Sequence, residues 1–347
     1  MQRADDGMGF ILKYENVAWY EDGKVRILDR RIYPINIEYV VCTTYLEVAK
    51  AIADMVTQSG GPYTAAAMGM ALAAYQVKDE KKDKIIATLT DAAYKLSHAR
   101  PTTSSKMEII TNNSLEKAKS LLNNGISGLD LVEELRIIAF NYINNNYLKY
   151  INTGKYLASL IPKNGTILTQ CFAETIIGTL LNECKALNNN IKVICAETRP
   201  YFQGARLTAS VVSDMGFDVA VITDNMPAFI MKEKNVDLFT SAADVITVDG
   251  HIVNKIGTFQ IAIAANYLQI PYFVTGSPNF SHKTVDSVKI EYRDENLVMQ
   301  SMGVKIVKDE VKAYYPAFDI VPPKLCNGVV TDKGIFSPYN LKEYFEK

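Results

Sequence analysis

The sequence predicts an α/β chain: a helical N-terminal domain with a small β-hairpin, packed on a C-terminal domain built around a mainly parallel sheet. Three observations lead there. Apolar residues recur at helical spacing through the first half, short apolar runs alternate with helical segments after about residue 155, and 347 residues are long for one domain and comfortable for two. We place the boundary between residues 1–150 and 151–347.

The first element is "ILKYENVAWYEDGKVRILD", which alternates around Asp22-Gly23, a dipeptide suited to a tight hairpin turn. Helical spacing then runs through "TYLEVAKAIADMVTQ", "YTAAAMGMALAAYQ", "KDKIIATLTDAAYKLSHA" and "SLEKAKSLLNNGISGLDLVEELRIIAFNYINNNYLKYI". Gly-Gly-Pro, Arg-Pro and Asn-Asn break these segments, as expected of residues that interrupt a helix.

The second half reads "GTILTQC", "ETIIGTLLNECKAL", "IKVICAE", "RLTASVVSDMG", "DVAVITD", "AFIMKEK", "ADVITVD", "TFQIAIAANYLQ" and "PYFVTG". Strand-like and helix-like runs alternate, the mark of a parallel sheet with helices on both faces. The domain is therefore Rossmann-like, although it lacks a GxGxxG fingerprint.

Composition excludes several classes of function. The 37 basic and 38 acidic side chains nearly cancel, and no basic block is dense enough to follow a phosphate backbone, so nucleic acid is not an expected partner. The N-terminus has no signal-peptide pattern and no apolar run reaches spanning length, which reads as a cytoplasmic protein without a membrane partner. Five cysteines without a CxxC pair, and only three histidines, argue against a disulfide framework or a metal site.

Ligands of open parallel sheets bind beyond the carboxyl ends of the strands. Those ends read Thr169-Gln170-Cys171, Glu197-Thr198-Arg199-Pro200 leading to Gln203, Thr223-Asp224-Asn225, Asp249-Gly250-His251 leading to Asn254-Lys255, and Thr275-Gly276-Ser277. Asp244 lies at the start of an apolar run. Asn254 and Lys255 precede Gly257-Thr258 and an apolar helix, where phosphate binding and ordinary helix capping both remain open. From the residues alone, Cys171 also reads as a small strand-end residue, Asp244 as a cap, and Arg199 and Arg206 as scaffolding.

"ETRPYFQGARLTA", "ITDNM", "GHIVNKIGT" and "YPAFDIVPP" resemble the signature segments of the S-methyl-5-thioribose-1-phosphate isomerase family. That family belongs to a superfamily with the regulatory subunits of translation initiation factor 2B and ribose-1,5-bisphosphate isomerase. "NVAWYEDGKVRILD", "YVVCTTYLEVAKAI" and "ARPT" extend the resemblance over almost the whole chain.

The resemblance implies an aldose–ketose isomerase, needing no cofactor, that acts on a pentose 1-phosphate as a homodimer. It places the catalytic pair on Cys171 and Asp244, and substrate contacts on Ser59, Gly60, Gly61, Arg100, Gln203, Asn254 and Lys255. The site is expected in the cleft between the domains, with Asp244 as proton donor and acceptor, a task suited to a carboxyl whose pKa is raised by burial. Asp319 is expected to order the C-terminal segment or a subunit interface.

The chain also departs from the family pattern. Ser59-Gly60-Gly61 stands where the family carries Arg-Gly-Ala, and losing a charged hydrogen bond to phosphate costs about 1.5–3 kcal/mol if nothing replaces it. Phe172 and Glu174 replace small residues, Val245 replaces an arginine, His251 an acidic residue, and "NFSHK" a Ser-Thr-Ile-Asp segment. Three readings stay open: 5-methylthioribose 1-phosphate as substrate, a related sugar such as 5-deoxyribose 1-phosphate or ribose 1,5-bisphosphate, and a non-catalytic sugar-phosphate-binding paralogue.

Overall fold

The computed structural model describes residues 3–100 and 104–346, and the chain separates into two compact units. The first comprises residues 1–6 and 10–148, the second 7–9 and 149–347.

In the first unit β1 (Ala18–Glu21) and β2 (Lys24–Leu28) form the expected hairpin. Asp22 and Gly23 turn with φ of 47° and 74°, the left-handed pair that a two-residue hairpin needs. A third strand, β3 (Tyr39–Cys42), pairs antiparallel with β2. The hairpin reading missed it because "YVVC" is too short to show alternation.

α1 (Tyr45–Ala53) starts at Thr44, whose hydroxyl accepts from Glu47 N while Glu47 reaches back to the cap, a reciprocal capping box. α2 (Gly61–Gln76) is buried around most of its circumference, which suits its run of alanine, glycine and methionine. α1, α3 (Lys82–Ser97) and α4 (Ser104–Asn123) pack around it. α5 (Gly128–Ala158) completes the unit and continues into the second.

The second unit takes its elements in chain order: β4 (Thr166–Gln170), α6 (Thr175–Ala186), β5 (Lys192–Ala196), α7 (Ala209–Asp214), β6 (Asp218–Ile222), α8 (Pro227–Glu233) and β7 (Leu238–Ala242). β8 (Val245–Ile246), β9 (Ile252–Lys255), α9 (Thr258–Tyr267), β10 (Tyr272–Thr275), β11 (Gln300–Ser301), β12 (Val304–Lys305), β13 (Phe318–Val321), β14 (Gly328–Val330), β15 (Ile335–Phe336) and α10 (Glu343–Glu346) follow.

The central sheet has the order β15-β14-β10-β7-β4-β5-β6. All its neighbouring pairs are parallel except β14 with β15. Counted from β4, the parallel strands run 3-2-1-4-5-6, so the order reverses between β4 and β7. Leu168, Ile194, Phe239, Val274 and Val329 bury one face against Ile261, Ala262 and Ala265 of α9.

One strand assignment is corrected. "ADVITVD" is not a strand of the parallel sheet: Leu238–Ala242 fills that place, and Val245–Ile246 pairs with β9 in a separate sheet ordered β13-β9-β8. Two short apolar runs lie side by side in sequence, and periodicity cannot choose between them. Among the described residues no helix is long and apolar enough to cross a membrane.

Candidate active site

Cys171 directly follows β4, and Asp244 lies two residues beyond β7. β4 and β7 are hydrogen-bonded neighbours, paired Leu168 to Phe239 and Thr169 to Thr240. The two residues proposed for chemistry therefore leave the carboxyl ends of the strands that flank the reversal of strand order, where open α/β sheets form their ligand crevice.

Cys171 is held tightly. Its backbone has φ of 62°, a left-handed conformation rare outside glycine and often found at functional sites. Its N–H donates to Thr198 Oγ1 at 2.9 Å, and its carbonyl accepts from the Thr208 hydroxyl. Of the five free cysteines it alone is partly exposed, the other four being buried. Protein nonetheless packs closely around its sulfur, and burial pushes the thiol up to about 11, with Lys255 and Arg293 pulling it down and Asp244 pushing it up. The thiol is thus protonated at neutral pH, and three charged groups act on it.

Asp244 donates its backbone N–H to Val253 O at 2.9 Å and is exposed. The burial expected around a proton-donating carboxyl is not what the chain provides at this position.

β9 carries Asn254 and Lys255, both buried. Lys255 lies opposite Phe318 across the β9–β13 pair, and its Nζ sits 4.9 Å from the centre of that ring. Asn254 Nδ2 donates to Thr258 Oγ1 at 2.9 Å, and that hydroxyl lies 2.8 Å from Gln170 Oε1. Gln170 Nε2 in turn donates to Ile256 O at 2.9 Å, so an amide–hydroxyl chain ties the end of β4 to the start of α9.

The stretch after β5 divides its labour. Asp224 accepts from the N–H groups of Thr198 and Arg199 at 2.8 and 2.7 Å. The Arg199 guanidinium donates to Val298 O and Gln300 O, and that of Arg206 to Tyr201 O, so both arginines fasten backbone. Gln203 opens a π-helical turn, Gly204–Thr208, of a kind frequent at functional sites. A Cβ on Gly204 would lie 1.8 Å from Ala196 O, so only glycine lets this turn close on the end of β5. Gln203 is buried, and its Oε1 has no hydrogen-bond partner among the described residues.

The remaining expected contacts lie in the first unit. Ser59, with φ of 58°, and Gly60 form the turn into α2, Gly61 is the first residue of that helix, and Arg100 follows α3. The neighbouring Gln58 is buried, and neither amide atom has a hydrogen-bond partner among the described residues. Motif reading stopped at Ser59 and passed over it.

Asp319, left outside the chemistry in the sequence reading, caps α9. Its Oδ2 accepts from Gly257 N at 2.7 Å and Phe259 N at 3.1 Å, while Oδ1 is buried and has no partner among the described residues. Burial pushes this carboxyl from 3.8 up to about 6, against the pull of the backbone N–H groups and Lys255. Between those pH values the folded chain keeps a proton that the unfolded chain has released. The group's contribution to stability therefore falls as pH rises from about 4 to about 6 and is level above that. Asp319→Asn cannot titrate, so its stability relative to the wild type is expected to improve across that window, on the order of 1–3 kcal/mol. Denaturant unfolding at both ends of the window checks this, and a constant difference would contradict it.

Two further residues escaped the motif reading. Arg293 is 10% exposed at its side chain and pairs with Glu291 at 2.7 Å. Tyr315 is 2% exposed, and Arg293 N donates to its carbonyl at 2.9 Å. Arg293 lies in a loop-rich stretch with no strand-end signal; Tyr315 opens the quoted "YPAFDIVPP", where only the aspartate drew notice. Among the described residues no three His, Cys, Asp or Glu side chains group as a metal site would require.

Residues 59–338 match the initiation factor 2 subunit family. A methylthioribose-1-phosphate isomerase of Caldanaerobacter subterraneus subsp. tengcongensis is 34% identical, over 92% of this chain and 95% of its own. The crystal structure of 5-methylthioribose 1-phosphate isomerase from Pyrococcus horikoshii OT3 has a TM-score of 0.83 at 29% identity, covering 97% of this chain and 98% of that one. The translation initiation factor eIF-2B subunit delta from A. fulgidus has a TM-score of 0.83 at 27% identity, covering 96% and 99%. With a relative 34% identical over 92% of it and a solved structure of the same fold over 97% of it, the chain belongs to the methylthioribose-1-phosphate isomerase family, within the wider initiation factor 2 subunit family.

Proposed function

We propose that the protein is an aldose–ketose isomerase that converts 5-methylthioribose 1-phosphate to 5-methylthioribulose 1-phosphate. The observation that carries this reading is the pairing of β4 with β7, which sends Cys171 and Asp244 out of adjacent strand ends. Lys255 acts on the same thiol from β9.

A phosphate on the anomeric carbon locks the sugar as a ring. The bond between C1 and the ring oxygen must break, that oxygen must gain a proton, and the C2 hydroxyl must lose one as the ketone forms. The hydrogen on C2 moves to C1, and the phosphate ester survives. Asp244 suits the two oxygen-centred transfers because one carboxylate can take the hydroxyl proton and return it to the ring oxygen. Cys171, protonated at neutral pH, is an uncharged donor that supports the change at carbon without placing a second anion near the phosphate. Lys255 contributes positive charge, and Gln203 Oε1 an acceptor for a sugar hydroxyl. Ser59, Gly60, Gly61, Arg100 and Asn254 are the remaining proposed contacts.

The test is incubation with 5-methylthioribose 1-phosphate, 5-deoxyribose 1-phosphate and ribose 1,5-bisphosphate, each followed for its ketose. The expected result is preferential formation of 5-methylthioribulose 1-phosphate. Preference for either other sugar would change the substrate, and folded protein inert toward all three would overturn the isomerase reading.

A further inference from the structure

The Tyr315 hydroxyl is buried, in a residue 2% exposed; the Arg293 side chain is within hydrogen-bonding reach of its oxygen, but among the described residues no group accepts its proton. Leaving such a group unsatisfied costs about 1–3 kcal/mol, so native proteins rarely keep one without a use. Its surroundings point to that use. The Tyr201 ring lies 6.4 Å from the Tyr315 ring, centre to centre. The backbone of Arg293 is bonded to the Tyr315 carbonyl, and Ala317 N donates to Glu291 O at 2.8 Å, so the two segments run side by side.

Three residues further on, Phe318 carries two cations, Lys255 Nζ at 4.9 Å and the Arg293 guanidinium carbon at 5.5 Å from the ring centre. Arg293 is anchored by Glu291 and Lys255 by its place in β9, so both charges are fixed before any ligand arrives. Burial pushes the phenol up to about 12, with Arg293 pulling it down and Tyr201 and Cys171 pushing it up. Tyr315 is therefore a neutral donor at working pH, within electrostatic reach of the thiol proposed for catalysis.

We propose that Tyr315 is a specificity-determining residue, whose hydroxyl donates a hydrogen bond to a sugar oxygen of the substrate held beside Cys171, with Arg293 as the residue that positions it. The inference rests on the sugar-phosphate reading of the site. A donor built to meet a sugar oxygen favours polyhydroxylated phosphate esters over bare phosphate, because only the former complete its hydrogen bond. It also supplies a contact to the sugar in a chain that lacks an arginine at Ser59.

Tyr315→Phe removes one oxygen and keeps the ring, so packing against Tyr201 is preserved. Affinity is measured by titration calorimetry with two probes, 5-methylthioribose 1-phosphate and inorganic phosphate, and wild-type turnover is assayed in parallel. The expected result is about a tenfold weaker Kd for the sugar phosphate, an unchanged Kd for inorganic phosphate, and a melting temperature close to that of the wild type. Unchanged sugar-phosphate affinity, or equal weakening toward both probes, would overturn the proposal, the second outcome marking a general or structural effect. Wild-type protein that binds the sugar phosphate without converting it would refute the isomerase reading alone, leaving the Tyr315 contact to be judged by affinity. Absence of wild-type binding would overturn both.

Discussion

Cys171→Ala is expected to lower kcat by at least about a hundredfold, the lower end of what a positioned proton-transfer group supplies. The loss should be chemical because the main-chain hydrogen bonds that hold this position survive the exchange. Residue 171 donates its N–H to Thr198 and accepts at its carbonyl from Thr208, and alanine keeps both while giving up the sulfur's contact with the Phe172 N–H. The left-handed backbone at φ of 62° is no harder for alanine than for cysteine. Near-wild-type kcat with 5-methylthioribose 1-phosphate would dismiss Cys171 from the reaction. The raised pKa gives an independent reading. With a thiol near 11 rather than the ordinary 9.0, the thiolate fraction at neutral pH is lower by about a hundredfold. Alkylation of Cys171 should accordingly be slow at pH 7 and quicken steadily as the solution is made more alkaline.

Asp244→Asn is expected to cause a loss of the same size, also at least about a hundredfold in kcat. The amide is nearly isosteric and keeps the main-chain bond from residue 244 to Val253 O, but it cannot accept and return a proton. Because Asp244 is exposed, the exchange should leave stability close to that of the wild type, which separates loss of chemistry from loss of fold. A variant that turns over normally would remove the carboxylate from the mechanism and leave proton transfer at the oxygens to another group. One that binds substrate like the wild type but does not convert it is the expected phenotype.

Much of this architecture was legible before any coordinates. The Asp22-Gly23 hairpin, the apolar α2 and the strand ends after β4 and β5 all follow from local pattern, because turn dihedrals, helical period and short apolar runs are properties of neighbouring residues. β3 and the exchange of Leu238–Ala242 for the run around Val245 were not legible, since a short strand is defined by its partner. Arg199 and Arg206 read as scaffolding from the sequence, and the structure adds which backbone they fasten, through the carbonyls of Val298, Gln300 and Tyr201.

The candidate site divides along the same line. The residue types were readable along the chain: a thiol, a carboxylate, an amide and an ammonium placed after strand-like runs, in an order that resembles one family. Which strands are neighbours was decided by the tertiary structure, through a strand order that reverses between β4 and β7 and so joins the ends bearing Cys171 and Asp244. The protonation of the thiol and the burial of the Tyr315 hydroxyl, whose proton has no acceptor among the described residues, were decided there too. The physical reason is that desolvation and hydrogen-bond satisfaction depend on what surrounds an atom in space, and for these groups the surroundings come from segments far away along the chain.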